Sequence, residues 1–586
     1  MIVSLLKLFL LFLSATIFIG NLVTSISYDY STSIEARTLF DSDEINIFFH
    51  CLAEPPRPQY GGGIVRNPEF NDGLKGWSVF GYGQIAERTS GTGNRFLATD
   101  RRSLSHQSMS QKVYLQRGML YTFSAWLQVD QGNTTVTAIF KTAKDGFVHV
   151  GAVEARSGCW SMLKGGLTAK SSGPAEFYFE SNNTSVKIWV DSVSLQPFTE
   201  DQWRAHQEES INKVRKKTVA IQAVDANGHA LPGASVSIKQ KRSGFPLGCA
   251  IANTILENKA YQSWFTSRFT VTTFENEMKW YANEREQGKE QYADADAMVA
   301  FAKQHGIAVR GHNVVWNDPQ DVQSWVRSLP RKQLRRAVNR RFNSVMRRYR
   351  GRVVAWDVVN ESVHFSYFES RLGQNASSVF YKRAHQLDLN ALMFLNDFNT
   401  LEVPVDGNVT PAKYLQKLRQ IQSFGNVPRM AIGLEGHFGT PDIAYMRSAL
   451  DKLAGANVPI WLTEVDVAHP NQSKYLEEVL REAYSHPAVQ GIVIWGAWHP
   501  EGCWRMCLTD NNFKNLPAGD VVDKLIFEWR SANVAATTDA DGLLRAELFH
   551  GEYKITITHP SSNSSSVQSL TVDSASQNTN VLRVMV

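Results

Sequence analysis

Two glutamates, Glu361 and Glu464, lie near the ends of two apolar runs, at residues 353–361 and 459–467. One carboxyl group that keeps its proton and a second that is ionised can together cleave a glycosidic bond. The first protonates the leaving oxygen, and the second attacks the sugar or activates water. The two glutamates can do this chemistry only if the fold brings the ends of both runs together.

Other apolar runs in the same half of the chain also end in side chains that an apolar strand should not carry. Polar strand ends near loops explain one or two such cases, but here acids, amides, imidazoles and indoles follow seven runs. They are Glu275, Asn276, His312, Trp316, Asn360, Asn396, Asp397, Glu435, His437, Asp466, Trp495 and Trp498. The sequence has no His-Glu-x-x-His pattern and no glycine-rich phosphate loop, so neither a metal nor a cofactor is expected. A neutral, polyhydroxylated substrate such as a sugar fits this set.

Residues 245–530 alternate between apolar runs and amphipathic stretches, which predicts parallel strands covered by helices on their outer face. The predicted strands span residues 245–252, 269–275, 308–316, 353–361, 391–399, 430–438, 459–467 and 490–498. Helices are predicted at 292–305, 411–424, 442–454 and 474–485. The arginine-rich stretch 331–352 is predicted to be a further amphipathic helix, with its arginines on the solvated outer face. Eight such units close into a (β/α)8 TIM barrel, whose active sites lie at the carboxyl ends of the strands.

The remaining segments have β patterns of their own. Residues 60–198 read as a β-sandwich, and 199–217 as a linker or connecting helix. Residues 218–244 before the barrel and 531–586 after it each resemble half of a small transthyretin-like β-sandwich. Neither half has enough strands to bury a core, so we expect the two to pair as one split domain.

The N-terminus predicts export from the cell. Residues 1–26 have the pattern of a secretory signal peptide, followed by a linker at 27–59, although an uncleaved signal anchor is the alternative. Glycosylation sequons begin at Asn133, Asn182, Asn183, Asn375, Asn408, Asn471 and Asn563. The five cysteines leave at least one thiol unpaired, and Cys503 and Cys507 either close a small loop or stay free. The net charge of +5 gives no support for nucleic-acid binding, and a monomer is expected.

Ordered motifs give the chain a clear family resemblance. The segments 356–361 (WDVVNE) and 461–466 (WLTEVD) resemble the active-site signatures of glycoside hydrolase family 10, the xylanases. Further matches are 275–280 (ENEMKW), 311–316 (GHNVVW) and 433–437 (GLEGH). The resemblance implies that Glu361 is the general acid/base, that Glu464 is the nucleophile, and that the reaction retains the anomeric configuration. It also implies that Asn360 binds the sugar 2-hydroxyl and that His437 hydrogen-bonds Glu464.

The same resemblance implies a set of residues that line the sugar subsites. They are Glu275, Asn276, Lys279, His312, Trp316, Glu435, Trp495 and Trp504. Three positions depart from the usual family pattern: Asn317 replaces His, Glu435 replaces Gln, and His499 lies in a segment that commonly contains Asp. This version is similar to the plant branch of the family.

The N-terminal sandwich resembles a carbohydrate-binding module of family 22, in the segments 63–70 (GIVRNPEF), 76–77 and 178–180 (YFE). That resemblance implies that Tyr178 and Glu180 lie in a xylan-binding groove. Residues 100–107, where a stacking Trp is usual, offer none, and Trp77, Trp126 and Trp160 are expected in the core.

The resemblance as a whole implies a secreted plant cell-wall enzyme that binds xylan or a related β-1,4-glycan and hydrolyses it as an endo-1,4-β-xylanase. Two alternatives remain open from the sequence. One is a wall transglycosylase, in which a sugar hydroxyl intercepts the glycosyl-enzyme, and the other is a wall-binding protein without catalysis.

Overall fold

The computed structural model of the 586-residue chain describes residues 26–28, 51–425, 427–560, 565–573 and 581–586. Nearly all of the expected signal peptide (1–26) and residues 29–50 of the expected linker lie outside the described residues. Among the helices of the described part, none is long and apolar enough to cross a membrane.

The N-terminal module is a β-sandwich of two antiparallel five-stranded sheets, ordered β1-β4-β9-β6-β7 and β2-β3-β10-β5-β8. Its strands are β1 (Ser78–Phe80), β2 (Gln84–Thr89), β3 (Arg95–Arg101), β4 (Ser108–Leu115), β5 (Leu120–Val129), β6 (Asn133–Thr142), β7 (Gly146–Arg156), β8 (Ser161–Thr168), β9 (Gly173–Glu180) and β10 (Ile188–Phe198). The inward-facing residues of the two sheets interdigitate, with Phe123, Phe140 and Phe177 at the centre. Trp77, Trp126 and Trp160 are buried, as expected.

The segment 199–217 contains a helix, α1 (Glu200–Arg215). It begins with a capping box, in which Thr199 and Gln202 satisfy each other's backbone N–H groups. Trp203 donates its indole N–H to Glu482 of the barrel over 2.8 Å, and Gln207 contacts the same carboxylate. The segment is therefore a helix fixed to the barrel.

Two strands, β11 (Lys216–Val224) and β12 (Ser235–Ser243), precede the barrel. Within the described residues, eight parallel strands then close into a ring, because the sixth strand pairs with the seventh and the eighth pairs with the first. In ring order they are β13 (Leu247–Ile251), β14 (Val271–Phe274), β15 (Ala308–Gly311), β17 (Ala355–Asp357), β19 (Leu392–Asp397), β20 (Met430–Leu434), β22 (Ile460–Val467) and β23 (Val489–Ile494). The predicted TIM barrel is confirmed.

Three predicted strands are split by the structure. Short outer strands β16 (Val315–Trp316), β18 (Val359–Asn360) and β21 (His437–Phe438) follow breaks after β15, β17 and β20. Beyond each break the chain leaves the ring: β16 pairs with β18, and β21 pairs with the end of β22. These outer pairs lie at the carboxyl end of the barrel.

The helices of the catalytic half surround the barrel. They are α2 (Lys259–Thr266), α3 (Trp280–Asn283), α4 (Ala293–Gln304), α5 (Ser324–Arg327), α6 (Arg331–Tyr349), α7 (Tyr367–Leu372), α8 (Ala376–Leu387), α9 (Pro411–Gly425), α10 (Ile443–Ala454), α11 (Gln472–Ser485) and α12 (Pro517–Glu528). The arginine-rich α6 is amphipathic as predicted, with Leu334, Val338, Val345 and Tyr349 buried.

The two segments that flank the barrel pair with each other. The second contributes β24 (Val534–Thr537), β25 (Leu543–Phe549), β26 (Gly551–Thr558), β27 (Ser565–Val572) and β28 (Val581–Met585). Strand β11 lies between β25 and β28, while β12 lies between β24 and β26. Ile221 and Val236 from the first segment share a core with Ile555 and Val584 from the second. The expected pairing of the halves is present.

Two disulfides join Cys51 to Cys159 and Cys503 to Cys507, and Cys249 is a buried free thiol. Cys503 and Cys507, whose pairing the sequence left open, therefore close a small loop. The first disulfide ties the chain ahead of the module to the turn between β7 and β8.

Candidate active site

Glu361 and Glu464 both lie at the carboxyl end of the barrel. Glu361 follows β18 and Glu464 belongs to β22, and their relative exposures are 8% and 5%. Glu361 has a φ of 54°, which a residue with a side chain rarely adopts, and its N–H donates to the Asn396 carbonyl over 2.9 Å. A strained backbone held in place by its neighbours is typical of functional positions.

Asn396, at the end of β19, connects the acids of the site. Its amide nitrogen lies 2.9 Å from Asn360 Oδ1 and 3.1 Å from both Glu435 Oε1 and Glu464 Oε1. Its Oδ1 accepts a 2.6 Å hydrogen bond from Thr463. The sequence placed Asn396 at a strand end but gave no reason to assign it a role, because its partners come from three different segments.

His437 lies between two of the acids. Its Nδ1 contacts Asp466 Oδ2 at 3.0 Å, while its Nε2 lies 3.6 Å from Glu435 Oε2 and 3.8 Å from Glu464 Oε2. The contact with Glu464 is therefore an ion-pair distance, longer than the expected hydrogen bond. Burial lowers the pKa of His437, but Asp466, Glu435 and Glu464 raise it to about 12. The imidazole carries a positive charge at neutral pH.

The two glutamates have pKa values displaced in opposite directions. Burial raises the pKa of Glu361 to about 8, the Trp316 indole opposes this, and the charges of Asp397 and Glu464 add to it. Burial also acts to raise the pKa of Glu464, but the charges of His437 and Arg310 act against burial, and the pKa is lowered. At neutral pH Glu361 holds a proton and Glu464 is ionised, the division of roles that acid–base chemistry at one bond requires.

Glu435 is a third carboxyl group in the same cluster. Burial, followed by the charge of Glu464, raises its pKa well above the usual value. A protonated Glu435 presents one O–H donor and one carbonyl acceptor, as the amide of Gln presents N–H and C=O. This accounts physically for Glu at a position where the family pattern has Gln.

His312 lies beneath Glu464 in a chain of buried groups. Its Nδ1 is 2.6 Å from Asp357 Oδ2 and 3.9 Å from Glu464 Oε1, and Arg310 forms an ion pair with Asp357 at 2.5 Å. Burial lowers the pKa of His312 well below its ordinary value, so the imidazole is neutral. The pair Arg310 and Asp357 was not predicted, because both residues lie inside apolar strands.

The aromatic residues form one wall of the cleft. Lys279 Nζ lies 4.5 Å from the centre of the Trp316 ring and 5.9 Å from that of Trp495, whose ring meets His312 edge-on at 5.6 Å. Trp504 is 73% exposed at the rim, with its ring 5.4 Å from His437. Surfaces of this kind stack against the apolar faces of sugars.

The loop closed by the Cys503–Cys507 disulfide contacts the barrel next to Trp504. Arg505 within it donates to Asp466 over 2.6 Å and to the Phe438 carbonyl over 2.7 Å. Arg505 was not predicted, since a lone arginine in a loop carries no local signal.

On the same side of the cleft as Lys279, Glu275 contacts His499 at 2.8 Å, which raises the pKa of His499, and Asn276 accepts a hydrogen bond from Tyr281. Asn317 is buried, and its side-chain amide donates hydrogen bonds to the Phe365 carbonyl and to Glu369. The asparagine that replaces the usual His therefore holds α7 in place. Met278 is buried in the core.

Among the described residues, Glu435, His437 and Glu464 have ligand atoms within 4.8 Å of one another, the spacing of a cation site. The His437 ring is held in this position by Asp466, whose Oδ2 lies 3.0 Å from Nδ1, so the spacing follows from the contacts described above.

In the module, a groove of about 600 Å³ crosses the sheet that contains β9. Tyr178 and Glu180 both line it, and the Tyr178 hydroxyl donates to Glu180 over 2.9 Å. The Tyr178 ring is covered by Phe80, which stacks on it at 3.7 Å between ring centres. Phe80 and Phe147 therefore supply the aromatic surface that residues 100–107 lack.

A closed parallel barrel with a proton-holding carboxyl and an ionised one at its carboxyl end is typical of glycoside hydrolases. Residues 235–524 match the model of glycosyl hydrolase family 10, and residues 62–185 match a carbohydrate binding domain. The chain is 41% identical to endo-1,4-beta-xylanase 5 of Arabidopsis thaliana over 92% of this chain and 93% of that protein. It is 40% identical to endo-1,4-beta-xylanase 4 of the same plant, over 86% and 91% of the two chains.

The chain belongs to glycosyl hydrolase family 10 and is a glycoside hydrolase with an N-terminal carbohydrate-binding domain. Among solved structures, a crystal structure of xylanase 10B from Thermotoga petrophila in complex with xylobiose is 21% identical, with a TM-score of 0.43. The structural match covers 49% of this chain and 94% of the Thermotoga chain.

Proposed function

We propose that this protein is an endo-1,4-β-xylanase that cleaves cell-wall xylan by double displacement. Glu464 attacks the anomeric carbon, and Glu361 gives its proton to the oxygen of the departing chain. Glu361 then takes a proton from water, which releases the sugar from Glu464 with net retention. The plant relatives are named endo-1,4-beta-xylanases, which supports xylan as the substrate.

One observation carries the proposed chemistry: both acids are buried at the carboxyl end of the barrel, and His437 Nε2 lies 3.8 Å from Glu464 Oε2. This arrangement raises the pKa of Glu361 to about 8 and lowers that of Glu464. The charge of His437 keeps Glu464 ionised. Burial keeps the proton on Glu361. Two carboxyl groups with the same environment would ionise together, and neither could then protonate the leaving oxygen at neutral pH.

The surrounding residues support sugar binding next to the two acids. We assign Asn360 to the sugar 2-hydroxyl, since it lies beside Glu361 and is held by Asn396. Lys279, Trp316 and Trp495 form the wall against which the sugar rings pack, with Glu275 and Asn276 on the same side. His312, Glu435, His437 and Trp504 complete the lining.

The proposal is tested by product analysis on xylan, cellulose and mixed-linkage glucan, with Glu361→Gln and Glu464→Gln as variants. The wild type should release xylo-oligosaccharides from xylan, and each variant should lose several orders of magnitude in kcat. Unchanged activity in both variants would reject the assignment. A labelled xylo-oligosaccharide acceptor belongs in the same assay, because label in long chains would indicate transfer instead of hydrolysis.

We also propose that the protein works outside the cell, in the wall. Two disulfides support this, because they persist in oxidising compartments. The sequons at Asn133, Asn182, Asn183, Asn375, Asn408 and Asn471 are all exposed, whereas Asn360 is buried. N-terminal sequencing of the secreted protein would test cleavage near residue 26. An intact leader on the mature protein would favour a signal anchor.

A further inference from the structure

The module is fixed to the barrel by buried polar contacts. Lys164 of β8 forms a 2.6 Å ion pair with Asp451 of α10, and both side chains are buried. Thr168 donates its N–H to Asp442 over 2.9 Å. Gly166 lies so close to α10 that an added Cβ would be 2.3 Å from the Ala444 carbonyl oxygen. The orientation of the module relative to the barrel is therefore set by the fold.

A second groove, of about 370 Å³, lies between the module and the barrel, and we call it the bridging groove. On the module side it is lined by Phe147 and His149, which also line the groove above Tyr178. On the barrel side it is lined by Glu402, Val405 and Thr440. The two grooves thus share a wall.

The bridging groove also adjoins the active site. Glu402 accepts hydrogen bonds from the N–H groups of Gly436 and His437, over 2.9 and 2.8 Å. The loops that supply Glu402 and Thr440 follow β19 and β21, at the same end of the barrel as Glu464. In the ring of eight described strands, β14, which Glu275 directly follows, is opposite β20. A chain that crosses the cleft from the β14 side therefore leaves it where the bridging groove begins.

The lining suits a polyhydroxylated chain. Phe147 and Val405 are 58% and 63% exposed, so each presents apolar surface to a pyranose face. Polar groups between them include Thr142, Asp145, Lys170, Ser171 and Thr440. In the groove of the module, Lys141 lies near the rings of Phe80 and Phe147, at 5.6 and 5.8 Å from their centres.

We propose that one xylan chain runs from the catalytic cleft through the bridging groove to the groove of the module, with Phe147 and Val405 as contact residues. This rests on the proposed function and extends it: the module binds the same chain that the barrel cleaves. Polymeric xylan then contacts the catalytic cleft, the bridging groove and the groove of the module, whereas a short substrate contacts the cleft alone.

The test compares Phe147→Ala and Val405→Asp with the wild type on polymeric xylan and on an aryl xylobioside, which is too short to reach the bridging groove. Tyr82→Ala is the matched control, since Tyr82 is 99% exposed on the module and lines neither groove. Each groove variant should lose roughly three- to ten-fold in kcat/KM on xylan, the size of one lost aromatic or apolar contact. On the xylobioside both should match the wild type, and Tyr82→Ala should be unchanged on both substrates.

Wild-type kcat/KM on xylan in both groove variants would overturn the proposal, as would an equal loss on both substrates. A wild-type protein that cleaves neither substrate would instead reject the proposed function.

Discussion

At the scale of single residues, the motifs predicted the two acids, and the structure adds the reason for their different protonation. Glu361 and Glu464 are both buried carboxyl groups at the mouth of one barrel. The charge of His437 separates their pKa values, and His437 is charged because Asp466, Glu435 and Glu464 surround it. The sequence could not show Asn396 or Arg505 as partners, because their contacts depend on segments far apart in the chain.

The first prediction concerns the pH profile of kcat/KM. Glu361 must be protonated and Glu464 ionised, so kcat/KM should fall as the pH rises through about 8 and fall again on the acid side, below the ordinary pKa of a glutamate. In Glu361→Gln, assayed with an aryl xylobioside whose leaving group needs no proton, the basic limb should disappear. A basic limb that survives this substitution at the same pH would contradict the assignment of the acid.

The second prediction concerns Glu435. Because burial and the charge of Glu464 keep it protonated, Glu435→Gln should retain kcat/KM on xylan to within roughly ten-fold, about 1.4 kcal/mol. Glu435→Leu, of similar size but without hydrogen-bonding groups, should lose considerably more, because Asn396 and His437 then lose a partner. Equal losses in both variants would show that Glu435 acts through its negative charge.

At the scale of elements, periodicity predicted the eight barrel strands and the helices between them, but not where strands break. The apolar run 308–316 continues through residues that leave the ring after Gly311, because β16 pairs outward with β18. The apolar pattern of this run is the same whether its last residues pair within the ring or with β18 outside it. The docking of β8 on α10 could not be predicted either, since Lys164 and Asp451 are 287 residues apart and each looks like an ordinary surface charge in sequence.

The third prediction concerns that docking. Lys164→Met leaves the buried Asp451 without its lysine and should destabilise the protein by about 3 kcal/mol, seen as a lower thermal midpoint. The control is Lys187→Met, which removes an exposed partner of Asp100 and should cost less than about 1 kcal/mol. Should both variants melt at the same temperature, the buried pair does not hold the module on the barrel.

At the scale of the whole molecule, the sequence predicted a β-sandwich, a barrel and a small β-domain assembled from both flanks. It could not predict that helix α1 and the module pack against the barrel as one unit, because those contacts join side chains that no local pattern connects. The Cys51–Cys159 disulfide is of the same kind, since its two cysteines are 108 positions apart in the sequence. We infer that this arrangement places the module where a chain leaving the cleft can reach it.

The central claim is that Glu464 forms a covalent bond to the sugar. A 2-deoxy-2-fluoro xylobioside with a good leaving group slows the release step, so the glycosyl-enzyme should accumulate and be seen by mass spectrometry of the intact protein. Peptide mapping should then place the sugar on Glu464, with no adduct in Glu464→Gln. An adduct on another residue, or a turnover product with inverted anomeric configuration by NMR, would contradict the account.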